Sequence, residues 1–467
     1  MSELQRAVRT LSSRARDRVV SPEDPADSRP VSISARLGCL QFHESGKFRV
    51  LQIADVQAGG TVSRDTVRLL SAAIGVARPD LVVFTGNQIA GYDQVFEATF
   101  RKRRWSSGWS RSRTSRPSSQ QRADAHVRDV VRDTIARFVA PVVEAGVPWA
   151  VTYGNHDFQC GLDNAQMDEI YRAFPGCVNP PPARSRGGQD EVSPYAGPEG
   201  ADSGDGQGNA MLCGASSGLP NQTVYAYAPG TFALPVRDIS RSRTVLGLLI
   251  VDSGDYARSG GYGSPSAGAV AFIAGSRSLV GAPSMLFQHM AVPQYYRLLK
   301  EVPATVDGAI EGYRAFAGRH YVLDADRTLP GGYLGEGISC PDGDSGEFEA
   351  MTADGACFAM ACGHDHRNGF VGDVGGVALM ATPTCGFDSY GPAPSQVAVR
   401  LVEFDIRHPH HPRTQLLSFG NLVGKASSTR KTYTYALNDV KASSGETIDL
   451  LHRPGRVVRV LRALGIR

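Results

Sequence analysis

Several residues along this chain have side chains that hold metals or handle phosphate. They occur in short clusters: Asp55 with Gln57, Asn87, the run Asn155-His156-Asp157, the isolated His289, and His364-Asp365-His366. Each cluster follows a short apolar run of strand type, such as Leu81-Val82-Val83-Phe84 before Asn87. In open α/β sheets ligands bind outside the carboxyl ends of strands. If these runs share a sheet, one end of it gathers carboxylate, amide and imidazole donors. That mixture suits Mn, Fe or Zn better than Ca or Mg. Taken singly, an Asp or Asn at a strand end reads as a helix cap or a turn, and His289 reads as a core histidine. The joint occurrence carries the chemical reading.

The elements that must position these residues follow from hydrophobic periodicity. A strand is expected over 48–53. A helix follows over 64–77, with Val67, Leu70, Ile74 and Ala77 at helical spacing, and then a strand over 81–84. A long helix is expected over 124–144, with Val127, Val130, Val131, Phe138 and Val142 on one face, and a third strand over 148–153. Further strands are expected over 245–251, 285–287, 358–361 and 377–380. Strands alternating with helices indicate α/β architecture.

Residues 1–46 read as an N-terminal arm and 47–405 as the main domain. Residues 101–122, with eight Lys or Arg plus Trp105 and Trp109, read as an inserted solvated loop. The Gly-, Pro-, Ser- and Asp-rich stretch 179–221 reads as a second insertion. Residues 406–467 read as a separate basic C-terminal extension, with His408, His410 and His411 in an exposed linker beside Pro409 and Pro412.

Composition bounds the function. The chain has 467 residues, 42% hydrophobic and 20% charged, with a net charge of +3. That is ordinary globular material, and the charge gives no footprint of a nucleic-acid binder, despite Arg interleaved with Trp in the first insertion. The first 40 residues are rich in Arg, Ser and Pro and carry no apolar leader segment. The longest apolar run, 245–251, is far short of the ~20 residues that span a bilayer. A soluble, cytoplasmic protein is expected. The eight cysteines form no CxxC pair and read as reduced thiols, several of them in the core.

The order Asp-Val-Gln, Gly-Asn-Gln, Gly-Asn-His-Asp, His289, Gly-His-Asp-His resembles the signature of the calcineurin-like metallophosphoesterase superfamily: D-x-H, G-D, G-N-H-D/E, a lone His and G-H-x-H. Within it the chain looks most like the subgroup of purple acid phosphatase-related and yeast Dcr-type phosphatases. The resemblance covers about residues 47–405 and implies a four-layer α/β/β/α sandwich of two mixed sheets flanked by helices. It implies two transition metals, Mn, Fe or Zn, with Asp55, Gln57 and His366 on the first and Asn155, His289 and His364 on the second. Asn87 occupies the bridging position. His156 would support the leaving-group oxygen, with Asp157 orienting it, while a metal-bound hydroxide attacks the phosphorus of a phosphate ester in line.

The chain departs from that pattern twice. Gln57 stands where the family has His, and Asn87 where it has an Asp whose carboxylate bridges both ions. Two readings follow: a metal-dependent hydrolase of phosphate monoesters or diesters, or a silent relative that binds a phosphorylated ligand or a partner protein.

Overall fold

The computed structural model describes residues 30–105, 117–181, 209–426 and 449–451. In chain order the strands are β1 (Lys47–Ile53), β2 (Leu81–Thr85), β3 (Trp149–Thr152), β4 (Asn209–Leu212), β5 (Thr223–Ala228), β6 (Thr231–Arg237), β7 (Thr244–Ile250) and β8 (Ser284–Phe287). They continue as β9 (Leu299–Val302), β10 (Ile310–Glu311), β11 (His320–Leu323), β12 (Cys357–Cys362), β13 (Phe370–Val374), β14 (Val377–Ala381), β15 (Ala398–Asp405) and β16 (Arg413–Ser418). The α-helices are α1 (Ile33–Leu37), α2 (Arg64–Ala77), α3 (Pro117–Glu144), α4 (Asn164–Arg172), α5 (Ala267–Val280), α6 (Glu347–Thr352) and α7 (Phe419–Leu422).

Two mixed sheets stack face to face. One has the order β16-β15-β1-β2-β3, the other β13-β14-β12-β8-β7-β6-β5-β4, and a small third sheet has the order β10-β11-β9. Between the two large sheets lies a core of Val50, Val83 and Ala150 against Leu234, Leu248, Met285, Phe287 and Ala359. On the outer face of the first sheet, Leu51, Ile53, Val82, Phe84 and Val151 pack on α2, α3 and α4. On the outer face of the second, Leu249, Leu286 and Met360 pack on Phe272 and Ile273 of α5 and Met351 of α6. This is the four-layer α/β/β/α arrangement. Strand β2 is apolar from Leu81 to Phe84, and β1 is buried from Val50 to Ile53, because both faces are covered there.

The helices form where capping and periodicity agree. Ser63 caps α2 by accepting from Asp65 N, and the helix ends at Arg78 in the left-handed region, φ 48°, whose N–H returns to Ile74 O. In α3 the residues Val127, Val131, Ile135, Phe138 and Val142 are buried at helical spacing, so one stripe faces the sheet.

Four boundaries differ from the sequence reading. The arm expected over 1–46 joins the body from residue 30: Val31 N donates to Ala145 O at 2.7 Å, and Leu40 and Phe42 are fully buried in the inter-sheet core. The reason is Asp80, whose buried carboxylate accepts from Ser34 N, Ser34 Oγ and Arg49 N. The extension expected from 406 begins inside a hairpin, because β16 pairs antiparallel with β15 along six residue pairs. His410 in that turn is packed against Phe358 rather than lying in a free linker.

Of the stretch 101–122, Arg104 is held by Asp255 and Asn164, and α3 already runs from Pro117; residues 106–116 lie outside the described residues. Of the stretch 179–221, Asn179 completes the edge of β3 through Val151 N and Val151 O, and β4 pairs with β5; residues 182–208 lie outside the described residues. All eight cysteines are free and buried. Among the described residues no helix is long and apolar enough to cross a membrane.

Candidate active site

Strands β1, β2 and β3 run parallel, as do β7, β8, β12 and β14. The carboxyl ends of β1, β2, β3, β8 and β12 meet at one seam between the two sheets. Two hydrogen bonds join them there: His289 Nδ1 to Thr85 O at 2.9 Å, and His364 N to Asp55 Oδ2 at 2.8 Å. The backbone turns sharply as each strand ends. Asp55, Gln57, Asn87 and His364 all have positive φ, at 54°, 43°, 54° and 70°. Such conformations cost roughly 1–3 kcal/mol each in non-glycine residues and cluster at functional sites. Two motif glycines allow the close approach. A Cβ on Gly154 would stand 2.4 Å from Asn87 Oδ1, and one on Gly363 would stand 2.7 Å from Asp55 Oδ2.

Three imidazoles of the cluster share one tautomer. The Nδ1 atoms of His289 and His366 meet the backbone carbonyls of Thr85 and Tyr390, at 2.9 and 2.6 Å. A carbonyl only accepts, so Nδ1 carries the proton and Nε2 keeps its lone pair. His364 Nδ1 then donates to His289 Nε2 at 3.1 Å, and His364 Nε2 has no partner. Asp55 is fully buried. Its Oδ1 accepts no hydrogen bond and lies 3.3 Å from His366 Nε2 and 4.0 Å from His289 Nε2.

Burial alone would raise the Asp55 carboxyl, but the His289 and His366 imidazoles beside it hold it well below the usual carboxylate range. Burial lowers His289 and His364. Burial also works against His366, yet the Asp55 charge outweighs it and raises that imidazole.

Among the described residues no three His, Cys, Asp or Glu side chains complete a metal-holding group by themselves. The donor set is mixed, with one carboxylate, imidazoles and amides. A buried, unpartnered carboxylate oxygen facing imidazole lone pairs fits one cation. The amides decide whether a second ion fits.

Gln57 directs Nε2 to His366 Nε2 at 3.2 Å and accepts at Oε1 from the Tyr92 hydroxyl at 2.8 Å. A half-turn of this amide would bring Oε1 to the metal side, because a tyrosine hydroxyl accepts as well as donates. Asn87 has no such freedom. Its Oδ1 accepts the backbone N–H of His156 at 2.8 Å, and a backbone N–H only donates. Its Nδ2 therefore faces the site and donates to Asn155 Oδ1 at 3.2 Å. An NH₂ group cannot bridge two cations. Asn155 Oδ1 also lies 3.2 Å from His289 Nε2, and Asn155 Nδ2 donates to the Tyr256 hydroxyl at 2.8 Å.

The structure thus brings Asp55, Gln57, Asn87, Asn155, His289, His364 and His366 together. His156 stands at the rim. Its Nδ1 bonds Gln159 Oε1 at 2.7 Å, leaving Nε2 with the lone pair, and burial lowers its imidazole to about 4. Asp157 corrects an expectation, for it does not orient His156. Both its oxygens are engaged by backbone N–H groups: Asn87 N and Gly154 N on Oδ2, each at 2.7 Å, and Ile89 N on Oδ1 at 2.9 Å. It staples the turn after β2 to the turn after β3, and Gln159 does the orienting. Burial pushes the Asp157 carboxyl up to about 7 against the pull of those three donors.

Sequence reasoning missed the tyrosines. Tyr92 packs edge-on to His156, Tyr262 edge-on to His364, and Tyr390 stacks on His366 at 4.2 Å. Arg103, from the start of the Arg-rich stretch, lies over Tyr256 at 3.6 Å. The signal available was proximity to the motifs: Tyr92 stands five residues after Asn87 in the sequence.

The chain matches the family model described as calcineurin-like phosphoesterase over residues 48–207. It is 23% identical over 398 residues to "Probable inactive purple acid phosphatase 29" of Arabidopsis thaliana, covering 81% of this chain and 82% of that one. It is 26% identical over 163 residues to "Phosphatase DCR2" of Saccharomyces cerevisiae, covering 32% of this chain and 22% of that one. A crystal structure of a dimetal phosphatase from Danio rerio superposes with a TM-score of 0.37 at 11% identity, over 80% of this chain and 99% of that one. The segment matched by the family model carries Asp55, Gln57, Asn87 and the Asn155–Asp157 run, the half of the site built on β1, β2 and β3, and over that segment the chain is similar to the calcineurin-like phosphoesterase family.

Proposed function

We propose that this protein is a metal-dependent phosphate-ester hydrolase that works with one firmly held transition-metal ion in place of a bridged pair. The observation that carries the reading is Asp55 Oδ1, buried, unpartnered and facing the Nε2 atoms of His366 and His289. Asp55 and His366 would hold the ion, joined by Gln57 through its rotated amide and by His289. Mn, Fe or Zn bound there supplies Lewis-acid polarisation of a phosphoryl oxygen and a more acidic water. Tyr92 and Tyr390 shield the ligand side of the site. His156 presents Nε2 at the rim, where it holds or moves a proton at the leaving-group oxygen.

The reading is tested on protein purified without added metal, by elemental analysis and by hydrolysis of p-nitrophenyl phosphate and its bis ester. About one equivalent of metal per chain is expected from the single unpartnered carboxylate. Chelation should lower both the melting temperature and the hydrolysis rate, and Mn or Zn should restore them. Metal binding should also weaken on acidification, since imidazole and carboxylate must be deprotonated to ligate. Hydrolysis and stability that ignore the chelator would refute the proposal.

His156→Ala is expected to lower turnover by about 10²-fold, the usual size of a general acid–base contribution, while metal content stays at the wild-type level. Loss of metal in that variant would make His156 a ligand instead.

The keyed amide of Asn87 favours a second reading, a binder of phosphorylated ligands without turnover. Names containing "probable inactive" among the relatives agree with it. Micromolar phosphate-ester binding with one metal and no hydrolysis would select that reading.

A further inference from the structure

A relay of hydrogen bonds leaves the site along amides whose orientations are fixed one by one. The His156 N–H fixes Asn87 Oδ1, so Asn87 Nδ2 points on to Asn155 Oδ1 at 3.2 Å. Asn155 Nδ2 in turn donates to the Tyr256 hydroxyl at 2.8 Å. An NH₂ group only donates. The Tyr256 oxygen is therefore the acceptor in that contact, and its own proton has to point elsewhere. Among the described residues no acceptor meets that proton. A phenol keeps its proton at neutral pH, so the relay ends in an O–H donor with nothing to receive it.

Other tyrosines around the site are committed within the protein. Tyr92 donates to Gln57 Oε1 at 2.8 Å, Tyr390 bonds the Glu336 carboxyl, and Tyr262 bonds Tyr313. Tyr256 differs, and its ring is held in place before any ligand arrives. It lies half-buried in the loop between β7 and α5, forms a β-bridge with Tyr262 and stacks on that ring at 5.8 Å. The Arg103 guanidinium lies over the Tyr256 ring at 3.6 Å, and Phe158 packs edge-on to it at 6.4 Å. Asp255, the residue before Tyr256, is anchored by Arg104. The hydroxyl so held stands one hydrogen bond from Asn155, the chain neighbour of His156.

We propose that Tyr256 binds the substrate: its hydroxyl donates a hydrogen bond to a non-bridging phosphoryl oxygen of the phosphate ester. The inference rests on the phosphate-ester reading of the site. A phosphoryl oxygen is charged and only accepts, which makes it the complement of the unfilled donor. The Arg103 charge resting on the ring strengthens the O–H as a donor and attracts the anion. Because Asn155 and the stacked rings fix the phenol in advance, the bond forms with little reorganisation, as electrostatic stabilisation of a reacting group requires.

The test compares the full chain with its Tyr256→Phe variant, both loaded with Zn, and reads binding rather than turnover. Inorganic phosphate is titrated by calorimetry. In parallel, tyrosines isotope-labelled at the ring carbon that bears the hydroxyl are followed by NMR, where the resonance missing from the variant reports Tyr256. Phosphate should bind the variant about tenfold more weakly, the effect of losing one hydrogen bond to a charged acceptor, while metal content and Tm stay near the wild-type values. The Tyr256 resonance should move as phosphate binds, whereas a residue that only props Asn155 would leave it in place. Hydrolysis of p-nitrophenyl phosphate, measured alongside, separates the two proposals: weakened binding in the variant with no hydrolysis by either protein retires the hydrolase reading and keeps this one. Three results would overturn it: no phosphate binding by the metal-loaded wild type, equal affinity in Tyr256→Phe, or a Tyr256 resonance that stays fixed while phosphate binds, as expected if the hydroxyl meets only water.

Discussion

Asn87→Asp is expected to raise bound transition metal from about one to about two equivalents and to increase phosphate-ester turnover by about tenfold or more, as a bridging charge between two ions permits. The argument is local. In the variant one carboxylate oxygen keeps the His156 N–H now bonded at 2.8 Å. The other replaces Nδ2 and faces Asn155 Oδ1, at the 3.2 Å now spanned by a hydrogen bond. Two oxygens at that separation repel unless a cation lies between them.

The substitution therefore trades a donor for a second metal ligand, and its effect on stability depends on metal. In chelator, a second buried carboxylate beside Asp55 should destabilise the protein by several kcal/mol, seen as a Tm well below that of the wild type. In excess Mn or Zn the difference should close or reverse. Stoichiometry that stays at one with unchanged turnover would show that Asn87 is not at the bridging position. A rise to two equivalents without added turnover would favour the silent binder.

Asp157→Ala is expected to cost about 3–5 kcal/mol of folding stability, read as a drop in the urea midpoint. The carboxylate satisfies three buried backbone donors, Asn87 N, Ile89 N and Gly154 N. Each donor left unmade costs about 1–3 kcal/mol, and partial relaxation keeps the sum below the upper limit. The two turns it joins carry Asn87 and Asn155, so metal affinity should fall together with stability. If Asp157 acted by orienting His156, the variant would lose turnover at nearly unchanged stability and metal content. That result would restore the role assigned to it by resemblance.

Much of the architecture is legible in the chain. The helix over 64–77 and the strand starting at Leu81 are where periodicity and caps place them, because Ser63 and the apolar spacing act locally. The strand-end positions of the candidate ligands are equally local, each following a short apolar run. Other elements are not local. The apolar run of β15 takes its meaning from pairing with β1, more than 340 residues earlier in the chain. Leu40 and Phe42 look like part of an irregular arm until the hydrogen bonds to Asp80 hold that segment against the core. Short segments such as α1 and β16 lack the length for a periodic signal, and tertiary pairing decides them.

By itself the sequence determined which candidate residues stand at the strand ends, their order, and the presence of an amide where a bridging carboxylate is expected. Only the tertiary structure decided what those residues do to one another. Whether Asn87 turns its oxygen or its nitrogen to the site depends on the His156 N–H, and that contact exists only once β2 and β3 lie side by side. Whether Asp157 serves His156 or the backbone depends on the turn after β2 closing over its carboxylate. The physical reason is the same in both cases. A side chain's type is written in the chain, but its hydrogen-bond partners are chosen by segments distant in sequence, and it is the partners that set orientation, protonation and the number of ions the site fits.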